Sequence, residues 1–247
     1  MRRLALLGGG FSLGIFLGQY LLPLPCLLPG AGIALALTAL LSALLHGQPL
    51  HRGRLLLLGC ALAAGLAYGD FYTTLVVSPA EALADTSAEA VSMTLLDYPE
   101  PTDYGAKATV RLEGLRGKAV YYGSETILGL EPGNTVTCDL RLARASEIRG
   151  EPIRSFTSQG IFLLCYRRGE ETVSPGSAGS LRFLPRRTGK AMAERIGELF
   201  PADSAPILAA ILTGDRSGIP DTAANDLSEV GLYHLLAISG MHCAYLM

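Results

Sequence analysis

Residues 4–50 read LALLGGGFSLGIFLGQYLLPLPCLLPGAGIALALTALLSALLHGQPL, and no Asp, Glu, Lys or Arg interrupts them. A helix needs about 20 mostly apolar residues to cross roughly 30 Å of hydrocarbon, so this stretch holds two passes. The break between them is PLPCLLPG at 23–30, where Pro23, Pro25 and Pro29 fix φ and withhold backbone N–H groups. Residues 4–22 and 27–45 are therefore predicted spans, and a third apolar run, 55–77, carries Asp70 near its far end. Outward from this block the composition changes. Residues 1–77 carry four Arg and one acid, whereas residues 78–186 hold 14 acids and 12 bases. The chain as a whole is 49% hydrophobic and 17% charged, against about 25% charged for an ordinary soluble domain. The reading is a membrane α-helical protein with an inserted polar domain. A net charge of −2 excludes a dedicated, strongly basic nucleic-acid binder.

Orientation follows from the arginines, because short cytoplasmic loops retain them. Arg2, Arg3, Arg52 and Arg54 precede the first and third spans, while the turn between the first two has no charge. The N-terminus is thus predicted cytoplasmic, and residues 78 onward external, in a multi-pass protein of a bacterial plasma membrane. A cleaved signal peptide over residues 1–25 is the competing reading, but no A-x-A site follows and a second apolar run comes at once. Gly10, Gly14 and Gly18 recur every fourth residue, which gives one helix face without side chains for close packing in lipid. Residues 230–247 carry no formal charge and stop at the chain end, so they are expected to be the truncated start of a fourth membrane segment.

From about residue 88 the period changes to short runs rich in β-branched and aromatic residues between Gly and Pro turns. Strands are predicted at 90–96, 106–112, 118–123, 135–143 and 160–166. GLRG at 114–117 reads as a hairpin turn and EPGN at 131–134 as another. Five short strands without long helices between them fit a small all-β, OB-like barrel over residues 78–186. Its candidate DNA-contacting residues are Lys107, Arg111, Arg116, Lys118, Tyr121 and Tyr122, from a wider pool that includes Tyr98, Tyr104, Tyr166, Arg141 and Arg144. Single-strand binders stack bases on aromatics in a basic groove. The 14 acids oppose strong binding unless the bases cluster on one face. Cys138 and Cys165 fall in the fourth and fifth predicted strands. A disulfide there would close a loop of about 28 residues and add about 3 kcal/mol; two buried thiols are the alternative. No CxxC pair and no Walker A loop occurs, so neither a zinc cluster nor ATP hydrolysis is expected, and no cofactor is implied.

After residue 187 a helical period returns. Met192, Ile196, Leu199 and Phe200 form one stripe ahead of Pro201, a second short helix is predicted at 204–212, and a third begins near Asp221. Between the last two lies the polar turn Asp215, Arg216 and Ser217. The ordered set that follows, Gly231, His234, Leu235, Leu236, Ala237, Ile238, Ser239, Gly240 and His242, together with Thr213 and Gly214, resembles the opening of the competence domain of the ComEC/Rec2 family. That resemblance is sharp over residues 209–247 and implies an N-terminal fragment of an inner-membrane channel. Such a channel admits single-stranded DNA during natural transformation, with an OB-like external domain and other competence proteins as possible partners. The family's nuclease-like C-terminal domain is missing, so this stretch of chain is not expected to be an enzyme.

ISGMH is not a nucleophile elbow, and no acid stands beside His234 or His242 to orient a catalytic triad. Ser239 and His242, three apart, share a helix face, and His234 lies about two turns before His242. Polar side chains in an apolar segment face a bundle interior or an aqueous path, which predicts a pore-lining or interhelical role for all three. The alternative to a DNA channel component is a membrane-anchored interaction module whose barrel binds protein or glycan. A continuous basic face with exposed Tyr separates the first from the second.

Overall fold

The computed structural model describes residues 2–45, 49–148, 151–176, 180–215 and 218–231. Two compact units emerge: Met1–Leu83 with Leu115–Gly117, and Ala84–Gly114 with Lys118–Met247. In the first, α1 (Arg2–Tyr20), α2 (Leu27–Leu44) and α3 (Pro49–Tyr72) form the bundle. The last of these continues through a π-helical turn, Thr73–Val77, into α4 (Ser78–Ala82). Pro23 ends α1 as its sequence position requires, and Pro29 is tolerated because it sits in the first turn of α2, where its missing N–H has no helical partner.

The glycines explain how the helices approach. A Cβ on Gly10 would lie 2.9 Å from the Leu58 carbonyl, and one on Gly14 would strike the Leu62 carbonyl and stand 3.0 Å from the Gly65 Cα. Contacts that advance together along α1 and α3 mean that the two helices run parallel, with α2 antiparallel between them in sequence. Leu27, Ala31, Ala63 and Leu66 form the buried core. Thr38 and Ser42 are buried polar residues satisfied by their own helix, with Thr38 Oγ1 donating to the Ala34 carbonyl at 2.6 Å and Ser42 Oγ to that of Ala39 at 2.8 Å. Outside this core Ile33, Leu37, Leu40, Leu41 and Leu44 of α2 are exposed.

Among the described residues, two helical stretches, Leu24–Leu44 and Pro49–Ala82, are long and apolar enough to cross a membrane by length and composition. The sequence predicts three, and α1 is not among them; Arg2, Arg3, three consecutive glycines, Ser12 and Gln19 dilute its apolar character.

The second unit is built on strands β1 (Ser87–Leu95), β2 (Glu100–Thr102), β3 (Gly105–Leu112), β4 (Lys118–Gly123), β5 (Thr135–Arg144), β6 (Glu147–Ile148), β7 (Glu151–Pro152), β8 (Ile161–Arg167) and β9 (Thr172–Ser174). Five close a barrel in the order β1-β3-β4-β8-β5 and back to β1. Every pairing in the ring is antiparallel except β4 with β8. Strand alternation fills the interior: Ala106, Ala108, Val110 and Leu112 of β3 and Val136, Cys138, Leu140 and Leu142 of β5 point inward and are buried. Ile127, on a 3-10 turn Glu125–Gly129 between β4 and β5, is fully buried.

All five predicted strands are present, within a few residues. β1 begins earlier than predicted because a bulge shifts its register between Ala88 and Val91, where Ala90 takes a positive φ of 50° and its N–H is held by Asp139 Oδ1 at 2.8 Å. β8 is apolar without alternation because both its faces are covered: Ile161 and Leu164 pack outside the barrel with Val120, Ala145 and Phe156.

Helices α5 (Leu184–Leu199), α6 (Ala205–Thr213) and α7 (Asp221–Glu229) complete the description. The predicted stripe is only partly buried. Ile196 is covered, whereas Met192, Leu199 and Phe200 are exposed, since the side of α5 that meets the barrel carries Arg186, Arg187 and Lys190 instead. Gly214 ends α6 in the left-handed conformation, φ 77°, with its N–H on the Ala210 carbonyl.

Candidate nucleic-acid interface

Strand register, more than strand content, assembles the site. Lys107 of β3 pairs with Tyr122 of β4, Tyr122 with Tyr166 of β8, and Tyr166 with Arg141 of β5. All four side chains lie on the outer face, since their neighbours Ala106, Ala108, Tyr121, Cys165, Leu140 and Leu142 fill the interior. They form one transverse row of alternating function, with two aromatics between two cations. Four strands at about 4.8 Å spacing make the row about 14 Å long. The Tyr122 and Tyr166 rings stack at 5.2 Å with 10° between their planes. Burial, and next the Tyr166 ring, raises the Tyr122 phenol above its ordinary pKa, so it stays neutral at physiological pH. Its inner flank rests on the Val120–Leu164 apolar cluster, which fixes the ring, while Tyr166 is 39% exposed. At one end Lys107 Nζ is held 2.9 Å from Glu100 Oε2.

Behind the row, the barrel mouth is fastened by Glu171. Its side chain, 4% exposed, accepts from the Tyr121 hydroxyl at 2.5 Å, the Ser124 N–H at 3.0 Å, the Ser124 hydroxyl and the Thr126 hydroxyl at 2.8 Å. Burial alone would raise its pKa, but the hydrogen bonds from Ser124, Tyr121 and Thr126 outweigh it and hold the carboxyl below the usual range.

The six predicted contact residues separate. Lys107 and Tyr122 belong to the row. Arg111 and Lys118 lie toward the other end of their strands, four residues or about 13 Å away. Arg111 is half-buried there, and burial and the nearby Arg182 lower its pKa. Arg116 is exposed in the turn between β3 and β4. Tyr121 does not reach the outer face. It is fully buried, because adjacent residues on a strand face opposite sides, and its hydroxyl is engaged with Glu171 and the Cys138 sulfur, 3.4 Å away. In its place stand Tyr166 and Arg141. Both were visible in the composition, but their position beside Tyr122 depends on the parallel β4–β8 pairing, which no local pattern signals.

Cys138 and Cys165 are free, buried thiols, which corrects the disulfide alternative. Cys165 sits opposite Leu142, four residues along β5 from Cys138, about 13 Å of strand, beyond the reach of a bridge. Burial pushes the Cys165 thiol up to about 12. Of the polar turn, Asp215 donates its N–H to Thr213 Oγ1 at 3.2 Å. Arg216 and Ser217 lie outside the described residues, as do His234, Ser239 and His242.

Residues 211–247 match a family described as Competence protein. No curated protein and no solved structure shows a match to the chain.

Proposed function

We propose that this chain is the membrane-anchored entry part of a channel for single-stranded DNA uptake in transformation, with its barrel as an external guide for the strand. The competence match at residues 211–247 supports the uptake role. The helical unit supports the anchoring: Arg3, Arg52 and Arg54 mark one end of the parallel helices α1 and α3. At the other end Phe16 and Tyr20 pair, and Tyr68 stacks on Tyr72, in the manner of an interfacial aromatic belt. In this reading the arginine end is cytoplasmic and the barrel lies outside. The barrel is read as OB-like because its five main strands, counted in chain order, run 1-2-3-5-4-1 with a parallel third and fifth strand.

The observation that carries the nucleic-acid contact is the row Lys107, Tyr122, Tyr166 and Arg141. Two stacked rings offer a platform for bases, and the flanking cations sit where phosphates of a strand crossing the row would pass. With two cations engaged, the slope of log K against log salt is expected near −1.4. Tyr166→Ala is expected to weaken binding of a labelled single-stranded oligonucleotide by the 247-residue chain about tenfold, because a stacked base is worth about 1–3 kcal/mol. Lys107→Gln and Arg141→Gln should each flatten the salt slope by about 0.7. Wild-type affinity in all three variants would remove the row, and no oligonucleotide binding at all would favour the protein- or glycan-binding alternative.

His234, Ser239 and His242 are assigned to the interior of the channel because uncharged polar groups in an apolar segment are costly against lipid. His234→Ala and Ser239→Ala protein, made at normal levels in a deletion strain, should each lower transformation. Unaltered uptake in both would take them off the path.

A further inference from the structure

Between the first half of α5 and the loops at one end of the barrel lies a cleft of about 350 Å³, a volume in the range of small-ligand sites. Its helical wall is Arg187, Lys190 and Glu194, spaced i, i+3 and i+7 on one face. The facing wall is Tyr98, which follows β1, with Leu128 and Glu131 from the segment between β4 and β5. Gly129 leaves the floor open, since a Cβ there would meet nothing within 4 Å.

Two features make this more than a gap. The Arg187 side chain is 29% exposed, but its Nε and Nη2 are shielded from solvent and have no aligned hydrogen-bond acceptor among the described residues. Glu131 Oε2 is 3.1 Å from Nη2, close enough for ion pairing but not aligned with the N–H. Buried donors of this kind are uncommon because each forfeits its hydration, and a planar guanidinium is matched best by an oxyanion presenting two oxygens. One turn along the helix, Lys190 Nζ stands 4.0 Å above the Tyr98 ring, so a second cation borders the same space. Glu131 and Glu194 flank this pair as acceptors and balance its charge, and Leu128 with the part of the Tyr98 ring that Lys190 leaves uncovered supplies an apolar surface. A ligand that meets all these groups carries an oxyanion, at least one hydrogen-bond donor and a planar body.

We propose that this cleft binds the phosphomonoester end of a nucleotide, with the phosphate on Arg187 and Lys190, donors of the sugar or base toward Glu131 and Glu194, and the base against Tyr98 and Leu128. The same chemistry is offered by a free nucleoside monophosphate and by the 5′-phosphorylated end of a strand. This site is separate from the tyrosine row and does not rest on it.

Calorimetry with the 247-residue chain in lipid nanodiscs provides the test, with 5′-dAMP, deoxyadenosine and inorganic phosphate as probes. Saturable 1:1 binding of dAMP is expected, at least tenfold tighter than either fragment. Arg187→Gln should lose at least tenfold in dAMP affinity and Arg187→Lys less. Should Arg187→Gln melt below the wild type, Lys190→Gln carries the same expectation. No saturable dAMP binding, deoxyadenosine or phosphate binding as tightly as dAMP, or wild-type affinity in Arg187→Gln and Lys190→Gln would each overturn the proposal. A 5′-phosphorylated oligonucleotide that displaces dAMP, where its 5′-hydroxyl counterpart does not, assigns the site to strand ends. Failure of both to displace dAMP assigns it to free nucleotides, and either result supports the site.

Discussion

Glu171→Ala is expected to lower the stability of the barrel unit by about 3 kcal/mol, which for a unit of this size moves its melting temperature down by roughly 6–12 °C. The substitution does not remove one contact. It leaves the buried Tyr121 hydroxyl with only the weak Cys138 sulfur, 3.4 Å away, and frees the Ser124 N–H and the Ser124 and Thr126 hydroxyls from the carboxylate at once. An unsatisfied buried donor costs about 1–3 kcal/mol, and Tyr121, fully enclosed, has no water to turn to. Glu171→Gln keeps one carbonyl acceptor and loses the charge, so its cost should be about half. The same group gives the fold a pH dependence of definite sign. Its folded pKa is held below the unfolded value, so the stabilisation is complete above the ordinary glutamate range and is lost as pH falls through the lower folded value. The difference in melting temperature between wild type and Glu171→Gln should therefore shrink on acidification below about pH 4.5. A Glu171→Ala protein that melts with the wild type, or a difference that grows toward acid, would show that the carboxylate does not hold the barrel mouth.

That Glu171 closes the barrel was not legible in the sequence, and the reason is general to this fold. The alternation of residues 106–112 and 135–143 identifies strands because each has one wet face and one dry one. The Pro and Gly residues at 99, 101, 105 and 131–134 then mark where those strands stop. Both signals are local. Glu171 stands after β8 and reaches Tyr121 and Ser124, far away in sequence, across a pairing whose strands are parallel and not consecutive. The row of Lys107, Tyr122, Tyr166 and Arg141 is hidden by the same pairing, and a YY pair does not announce which ring faces inward, so the sequence alone does not separate Tyr121 from Tyr122. β8 is ambiguous for a different reason: the outer cluster with Phe156 makes both its faces dry and erases the period. In the helical unit the spacing of Gly10, Gly14 and Gly18 did predict which side of α1 packs, since close approach of backbones requires small residues at helical spacing wherever the partner lies. It could not say that the partner is α3.

That partner can be tested with the largest single effect expected in the helices. Gly14 and Gly65 face each other with a Cβ on either one 3.0–3.1 Å from the other's Cα and in collision with the carbonyl of Leu62 or Phe11. Backbone atoms cannot swing aside as a side-chain tip can, so Gly14→Leu must push α1 and α3 apart along their whole contact. Overpacking against side chains costs about 1–3 kcal/mol. Against backbone on both sides the upper end of that range, about 3 kcal/mol, is expected for Gly14→Leu and for Gly65→Leu. The pair should be strongly non-additive, because once the helices have separated for one leucine the second meets open space. Gly32→Leu supplies the control, as a Cβ at that position meets nothing within 4 Å and the added leucine adds only apolar surface. Denaturant unfolding of the 247-residue chain in detergent micelles, followed by cross-linking between cysteines placed on α1 and α3, reads the effect. Loss of the α1–α3 cross-link in the Gly14 and Gly65 variants, with retention in the Gly32 variant, is the expected pattern. Equal behaviour of all three would mean that the glycine face does not set the helix spacing, and that α1 is held by the apolar contacts of Leu17 and Leu66 around the bundle core instead.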